Sequence, residues 1–122
     1  MSNSYATGSV SGSGGVGGLL GANNGTVTNS YSTGSVSGAN GVGGLIGYSE
    51  GIVSNSFWDI ETSGQSTSAG GTGKTTAQMK DIATFSGAAW TIGAVDNLSE
   101  RDTFYIWNIV DGVTYPFLSW QP

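Results

Sequence analysis

The sequence predicts an all-β fold: a parallel β-helix (β-solenoid) of about three 26-residue coils at residues 1–60, followed by a C-terminal cap. Three observations lead to this prediction. The chain repeats itself at a fixed period, the repeated units are rich in Val, Thr, Ser and Tyr, and no helical periodicity occurs before residue 75. A fixed period with β-prone units, broken by Gly and Asn, is typical of stacked β-coils.

The repeat is long and keeps a constant shift. Three pairs of segments match, and in the first pair nine of ten residues are identical. The pairs are 3–12 with 29–38, 16–21 with 42–47, and 24–31 with 50–57. Each shift is 26 residues, so Asn3, Asn29 and Asn55 are expected to stack in register, as are Tyr5, Tyr31 and Phe57.

Within one coil, short strands are expected in TVTNSYS, GSVSG and VGGLIG, with corners at Gly and Asn. Val27, Tyr31 and Val36 are the predicted core members. The adjacent apolar pairs Leu19/Leu20 and Leu45/Ile46 need a bend if both members are to be buried, because side chains alternate between the faces of a strand.

The repeat pattern ends near residue 58. Residues 61–74 are predicted to be a Gly/Ser/Thr-rich connector, and residues 75–122 a capping module that covers the open end of the coils. One short helix is expected there, with Thr75 as its N-cap, Gln78 completing a capping box, and Gly87 as its stop signal.

A β-hairpin is the other element expected in the capping module. Asp111-Gly112 lies between two β-prone runs and predicts the turn. Pro116 places its strand at an edge or at the end of the hairpin, because proline cannot donate to a strand ladder.

Composition excludes several functions. The chain has 122 residues, a net charge of −5 and three basic residues, too few to neutralise the phosphates of a nucleic acid. No apolar run is long enough to span a bilayer, and residues 1–20 lack the pattern of a signal peptide. Without Cys or His, disulfides, thiolate metal sites, His-based catalysis and the usual zinc sites are excluded.

Two glycine-rich runs resemble nucleotide-binding motifs. GGTGKTT at 70–76 ends like a phosphate-binding loop, but Ser68 stands where that motif requires its first Gly. A loop-like segment precedes the run and too few residues follow it for a nucleotide fold. GSGGVG at 12–17 matches a dinucleotide fingerprint, but no helix follows, and the second repeat reads GANGVG. Both runs are therefore interpreted as structural, and no cofactor is predicted.

Carboxylates offer the only enzymatic hypothesis. Residues 1–49 contain no charged side chain, and Asp59 and Glu61 are the only paired acids close to the repeats. A polysaccharide-cleaving β-helix would use such a pair as acid and base. Asp96, Glu100 and Asp102 fit no calcium-loop spacing. No catalytic, cofactor-binding or metal residue is therefore predicted.

The triplets Thr7–Ser9 and Thr33–Ser35 are aligned by the repeat. Flat ladders of Thr and Ser would suit ice or a glycan. Ice binding and carbohydrate binding therefore stand as alternatives to a purely structural role.

Beyond these patterns, the chain resembles the GLUG motif. The motif cores are Gly18–Gly21 (GLLG) and Gly44–Gly47 (GLIG), followed by segments like NNGTVTNSYSTGSVSG. The tail, with SFWD, GKTTAQMKDIATF and YPFLSW, resembles the segment that follows the last such repeat. The resemblance covers nearly the whole chain.

The resemblance implies a β-solenoid in a large secreted bacterial or archaeal protein, extracellular or at the cell surface, with a structural or adhesive role. It implies no agreed catalytic residues. Partners expected on this basis are neighbouring repeats or other copies of the chain stacked head to tail, and surface glycans. Neither nucleic acid nor membrane insertion is expected.

Overall fold

Parallel pairing between the repeats organises the first part of the chain. The computed structural model describes residues 1–121, which divide into two units, one comprising Met1–Thr76 and the other starting at Ala77. The strands of the first unit are β1 (Tyr5–Ala6), β2 (Val10–Gly17), β3 (Leu20–Asn23), β4 (Thr26–Thr28), β5 (Tyr31–Ser32), β6 (Val36–Gly43), β7 (Ile46–Ser49), β8 (Ile52–Ser54), β9 (Phe57–Asp59) and β10 (Thr72–Lys74). One short helix, α1 (Ile60–Ser63), follows β9.

The sequence repeat appears directly in the strand register. Strands of one repeat pair in parallel with their counterparts in the next, and partners lie 26 residues apart, as Val10 and Val36 do. The pairs are β1 with β5, β2 with β6, β3 with β7, β4 with β8, and β5 with β9.

The predicted fold class, a parallel β-helix, is nevertheless wrong. The strands of the first unit form one four-stranded sheet, β1-β5-β9-β10, and the two-stranded pairs β2-β6, β3-β7 and β4-β8, rather than long stacked sheets. The reason is that the 26-residue shift is complete only once, because the pattern is lost after residue 58. Most strands of the first unit therefore pair with only one other strand.

Left-handed corners further shorten the strands. Asn3, Asn29 and Asn55 have φ of 48°, 51° and 48°. Asn is among the few non-glycine residues that tolerate this region. The corner at Asn29 divides the expected strand TVTNSYS into β4 and β5, which have three and two residues.

The predicted core of the repeats is confirmed. Val27, Tyr31 and Val36 are all buried. Leu45 and Ile46 are both fully buried, because Leu45 lies in a bend and β7 begins only at Ile46. Leu45 and Ile46 form a core cluster with Val27 and Trp58.

The second unit contains a small mixed sheet and two helices. Helix α2 (Thr76–Met79) begins at the last residue of the first unit and continues into the second, whose other elements are α3 (Ile82–Ser86), β11 (Ile92–Ala94), β12 (Trp107–Ile109) and β13 (Phe117–Leu118). Strand β12 pairs in parallel with β11 and antiparallel with β13. The rings of Phe85, Trp90 and Trp107 pack in series, tilted against one another, with centroids 4.7 and 4.8 Å apart.

The single helix expected in this region is wrong. The chain forms α2, breaks at Lys80 and Asp81, and forms α3. Asp81 causes the second start, because its carboxylate accepts the N–H of Ala83 at 2.9 Å and so acts as an N-cap. Gly87 ends α3, as the sequence predicts.

Asp111 and Gly112 lie in the connection between β12 and β13, but they form no two-residue turn. Only Gly112 of the pair has a positive φ, 78°, whereas the type I′ turn that Asp-Gly favours requires a positive φ at both residues. The loop instead contacts the break between the helices. Asp111 Oδ1 accepts the N–H of Ile82 at 2.9 Å, and Gly112 donates its N–H to the carbonyl of Lys80 at 2.7 Å.

Pro116, which is buried, directly precedes β13. Among the residues described, no helix is long and apolar enough to cross a membrane.

Candidate functional site

Three strands of the first repeat form an edge, which we call the open edge and define as β1–β3. Strand β1 is last in its sheet, and β2 and β3 each pair with a strand of the second repeat. Within residues 1–121, no strand pairs with the outer side of these three, whereas the outer side of β4 is bridged by the N-terminal residues, with Ser2 opposite Thr28. Such an edge presents backbone donors and acceptors to any strand that approaches.

Backbone direction along β2 identifies the outward groups. Val10 donates its N–H to the carbonyl of Ser35 at 2.8 Å, so the polar backbone groups of Val10 face β6. In a parallel pair, successive residues direct these groups to opposite sides. The N–H and C=O of Ser11 therefore lie on the outer side, and Ser11 is exposed.

A ladder of serines connects the repeats at their corner. Ser4 donates its N–H to Ser30 Oγ, and Ser30 donates its N–H to Ser56 Oγ, both at 3.2 Å. The hydroxyls of Ser30 and Ser56 each donate to the carbonyl two residues earlier, at 2.9 Å. Each hydroxyl therefore directs its proton to its own repeat and an oxygen lone pair to the repeat before it.

Ser4 repeats this geometry at the open edge. Its hydroxyl donates to the carbonyl of Ser2 at 2.8 Å, as its counterparts do in their own repeats. The Ser4 oxygen is therefore oriented like the two oxygens that accept an N–H from the preceding repeat.

An aromatic ladder runs beside the serines. The rings of Tyr5 and Tyr31 are stacked, 5.2 Å apart with an interplanar angle of 11°, and Tyr31 is in register with Phe57. Tyr31 is 1% exposed and Phe57 is 6% exposed, whereas Tyr5 is only half-buried. Tyr5, at the open edge, is therefore the most exposed member of the ladder.

The opposite side of the repeats is closed by the chain itself. Strand β10 pairs in parallel with β9, with Thr72 opposite Phe57 and Lys74 opposite Asp59. The segment before β10 bonds to the second repeat. Its contacts are Thr62 Oγ1 to the Thr33 carbonyl at 2.6 Å, Gln65 Nε2 to the Val36 carbonyl at 2.8 Å, the Gly44 N–H to the Thr67 carbonyl at 2.9 Å, and the Ala69 N–H to the Ile46 carbonyl at 2.9 Å.

The run that resembles a phosphate-binding loop forms this closing strand. Gly71 has a φ of 91°, and an added Cβ there would lie 2.6 Å from Leu45 Cδ2. A Cβ on Gly73 would lie 2.5 Å from Ile60 Cγ2. The glycines therefore allow β10 to approach the core closely. The helix that follows, α2, has only four residues.

Asp59 and Glu61, the paired acids, hold this closure in place. Asp59 is fully buried. Its Oδ1 accepts the N–H groups of Glu61 and Thr62 at 2.9 and 3.1 Å, and its Oδ2 accepts the Thr76 hydroxyl at 2.7 Å. Glu61 Oε2 accepts the N–H of Thr76 at 3.1 Å. Both carboxylates therefore hold Thr76, the last residue of the first unit, beside α1.

The acids of the 96–102 segment are engaged in local turns. Glu100 accepts from Asn97 Nδ2 at 3.1 Å, and Asp102 accepts the N–H of Phe104 at 3.1 Å. In the part of the chain that the structure describes, no group of three or more acidic side chains is placed to hold a metal ion.

The aligned Thr-Gly-Ser triplets lie in bends rather than on strand faces. Residues 7–9 connect β1 to β2, and residues 33–35 connect β5 to β6. Thr33 is only partly exposed, and its carbonyl accepts the Thr62 hydroxyl. The two triplets therefore form no flat strand array.

No family model, curated protein or solved structure matches the chain. The resemblance to the GLUG motif accordingly stays a prediction.

The serine ladder is the feature that sequence reasoning missed. A signal for it exists, since Asn-Ser-aromatic is the triplet found in all three repeats, at 3–5, 29–31 and 55–57. The closing strand β10 was missed for a different reason. Its partners in β9 lie outside the 26-residue shift, and a three-residue Thr-Gly-Lys strand has no pattern of its own.

Proposed function

We propose that this chain is a structural and adhesive repeat segment of a secreted, extracellular cell-surface protein, and that it acts by association rather than catalysis. Its partners are neighbouring repeats or other copies of the chain. The observation that carries the proposal is the open edge, β1–β3, on one side of repeats whose other side is closed by β10 and the segment before it.

Strand addition at such an edge is a common mode of recognition. The backbone hydrogen bonds of the added strand supply affinity, and side chains along it supply specificity. Proteins that keep an edge unpaired usually protect it with Lys, Pro or inward-pointing charges. Residues 1–28, which contain the three strands of the open edge, include no Lys, Arg or Pro. The composition of the edge therefore favours pairing.

The absence of side-chain charge from residues 1–49 supports the same proposal. Two neutral surfaces of this kind approach without electrostatic repulsion and without the cost of removing charges from water. The resemblance to the GLUG motif supports the location at a cell surface.

Catalysis has weaker support. An acid or base must reach the proton that it transfers, and Asp59 is fully buried with both oxygens bonded to α1 and Thr76. Ice binding has weaker support too, because the Thr-Gly-Ser triplets lie in bends. No observation favours one glycan as a ligand.

Sedimentation velocity over a range of protein concentrations tests the association. We expect the average mass to rise with concentration. Ser11→Pro, which removes an outward N–H from β2, should shift the equilibrium towards monomer. Ser11→Ala is the matched control, because it removes the same hydroxyl and keeps the N–H.

A chain that stays strictly monomeric at high concentration would count against association between copies. Equal association by Ser11→Pro and Ser11→Ala would place the contact elsewhere. Far-UV circular dichroism of both variants verifies that the fold is kept.

A further inference from the structure

We infer that the open edge selects one kind of partner: a further 26-residue repeat that carries Asn-Ser-aromatic, bound in parallel and in register, with one such partner per chain. This inference rests on the proposed function and adds the identity of the partner segment and the direction of addition.

The Ser4 hydroxyl is the first part of the recognition surface. Ser30 Oγ and Ser56 Oγ each accept the N–H of the serine in the preceding repeat, and Ser4 Oγ has the same internal hydrogen bond as both of them. A serine N–H from an added repeat would therefore meet an acceptor already in the right orientation. A hydroxyl whose own proton is committed is better organised to accept than a freely rotating one.

The Tyr5 ring is the second part. Tyr31, which has the Tyr5 ring of the preceding repeat stacked on it, is 1% exposed, whereas Tyr5 keeps part of its surface exposed. An aromatic residue from an added repeat would stack on Tyr5 as Tyr5 stacks on Tyr31, and would bury the remaining surface. Stacked aromatic pairs contribute beyond the area that they bury.

Asn3 supplies an independent sign that the first repeat lacks a partner. Its Oδ1 is buried, and among the described residues it accepts no hydrogen bond. Buried polar atoms in native proteins are rarely left unpaired, so an atom of this kind points to a group that completes the site.

The direction of addition follows from the closed side. A repeat cannot add to β9, because β10 already occupies its outer side. It cannot add to β6 or β7, because the segment from Thr62 to Ala69 bonds to the second repeat there. Addition at this interface therefore stops after one repeat per chain, and the head-to-tail stacking of copies expected from the sequence is not the geometry that these contacts favour.

An extended chain tests the inference. A copy of residues 3–28 is inserted between Ser2 and Asn3, so that the new junction imitates the natural step from Thr28 to Asn29. The N–H of Ser11 would then face the valine carbonyl of the inserted copy, as the N–H of Ser37 faces Val10. We expect the amide exchange of Ser11 to slow by about tenfold or more, with no change at Ile109 in the second unit.

Two variants of the extended chain test the triplet itself. One carries Ser4→Ala, which removes the accepting oxygen, and the other has the tyrosine of the inserted copy replaced by alanine. We expect each to lose most of the added protection at Ser11. Replacement of the exposed threonine of the inserted copy, the one equivalent to Thr7, by alanine is the matched control and should keep it.

The outcomes separate the two proposals. If all extended chains protect Ser11 equally, repeats pair at the open edge but the Asn-Ser-aromatic triplet does not select them, and only the inference is overturned. If no extended chain protects Ser11, or if the inserted copy pairs antiparallel, the edge does not accept a parallel repeat. Failure of every insert to pair would overturn the proposed association as well.

Discussion

Replacing Asp59 by alanine tests whether this buried acid is structural. The substitution removes an N-cap that accepts two N–H groups of α1, and loss of such a cap costs about 0.5–2 kcal/mol. It also removes the bond from the half-buried Thr76 hydroxyl to a charged acceptor, a loss of about 1.5–3 kcal/mol. We therefore expect Asp59→Ala to lower the free energy of unfolding of the first unit by about 2–4 kcal/mol.

Asp59→Asn separates this role from catalysis. The amide keeps one accepting oxygen for α1, and the Thr76 hydroxyl can turn to accept from its NH₂ group. The expected loss is therefore about 1 kcal/mol or less. An acid–base catalyst would instead lose polysaccharide cleavage on this change without a matching loss of stability.

Urea unfolding followed by amide NMR signals is the assay, because it reports on the two units separately. The control is Asp81→Ala, which removes the exposed N-cap of α3 in the second unit and should cost about 0.5–1 kcal/mol there. If the first unit of Asp59→Ala unfolds at the same urea concentration as the unmodified chain, the structural reading of Asp59 is refuted.

Two further predictions concern close packing and titration. Gly73→Ala should destabilise the first unit by about 1–3 kcal/mol, because its Cβ would lie 2.9 Å from Trp58 Cζ2, whereas Gly8→Ala, with nothing within 4 Å, should change the unfolding midpoint little. Equal midpoints for these variants would contradict the tight approach of β10. Tyr48 should titrate above its ordinary pKa of 10.0, because its hydroxyl donates to Glu50 Oε1 at 2.7 Å and ionisation would end that bond beside a carboxylate. This bond stabilises the fold below pH 10.0, and its contribution is lost as the pH rises through the raised pKa. Glu50→Gln should lower the pKa in an NMR titration of the Tyr48 ring, and an unchanged value would exclude Glu50 as the main cause.

The register of the repeats was predictable because identical residues 26 positions apart face identical surroundings. Tyr5 lies opposite Tyr31, and Val10 opposite Val36, as the alignment of the repeats requires. The extent of the sheets was not predictable in the same way. A β-helix needs many counterparts for each strand, and this chain supplies one complete shift before residue 58 ends the pattern.

Features that depend on long-range contacts were beyond the sequence pattern. The break between α2 and α3 depends on Asp81 and on Asp111, which lies in a distant loop. The closing strand depends on Gly73, which fits against Ile60 only after α1 has turned the chain. A local sequence pattern indicates which residues are small or polar. It does not indicate which side chain, distant in the sequence, will pack against each of them.

Amide hydrogen exchange at Ser11 and Ser37 tests the open edge most directly. Both serines follow a valine and precede a glycine, so their intrinsic exchange rates are matched, and both side chains are exposed. In dilute solution the Ser11 N–H should exchange much faster than the Ser37 N–H, which faces β2, and it should slow as the protein concentration rises. Equal protection of the two amides in the dilute monomer would show that the edge is not open and would contradict the proposed association.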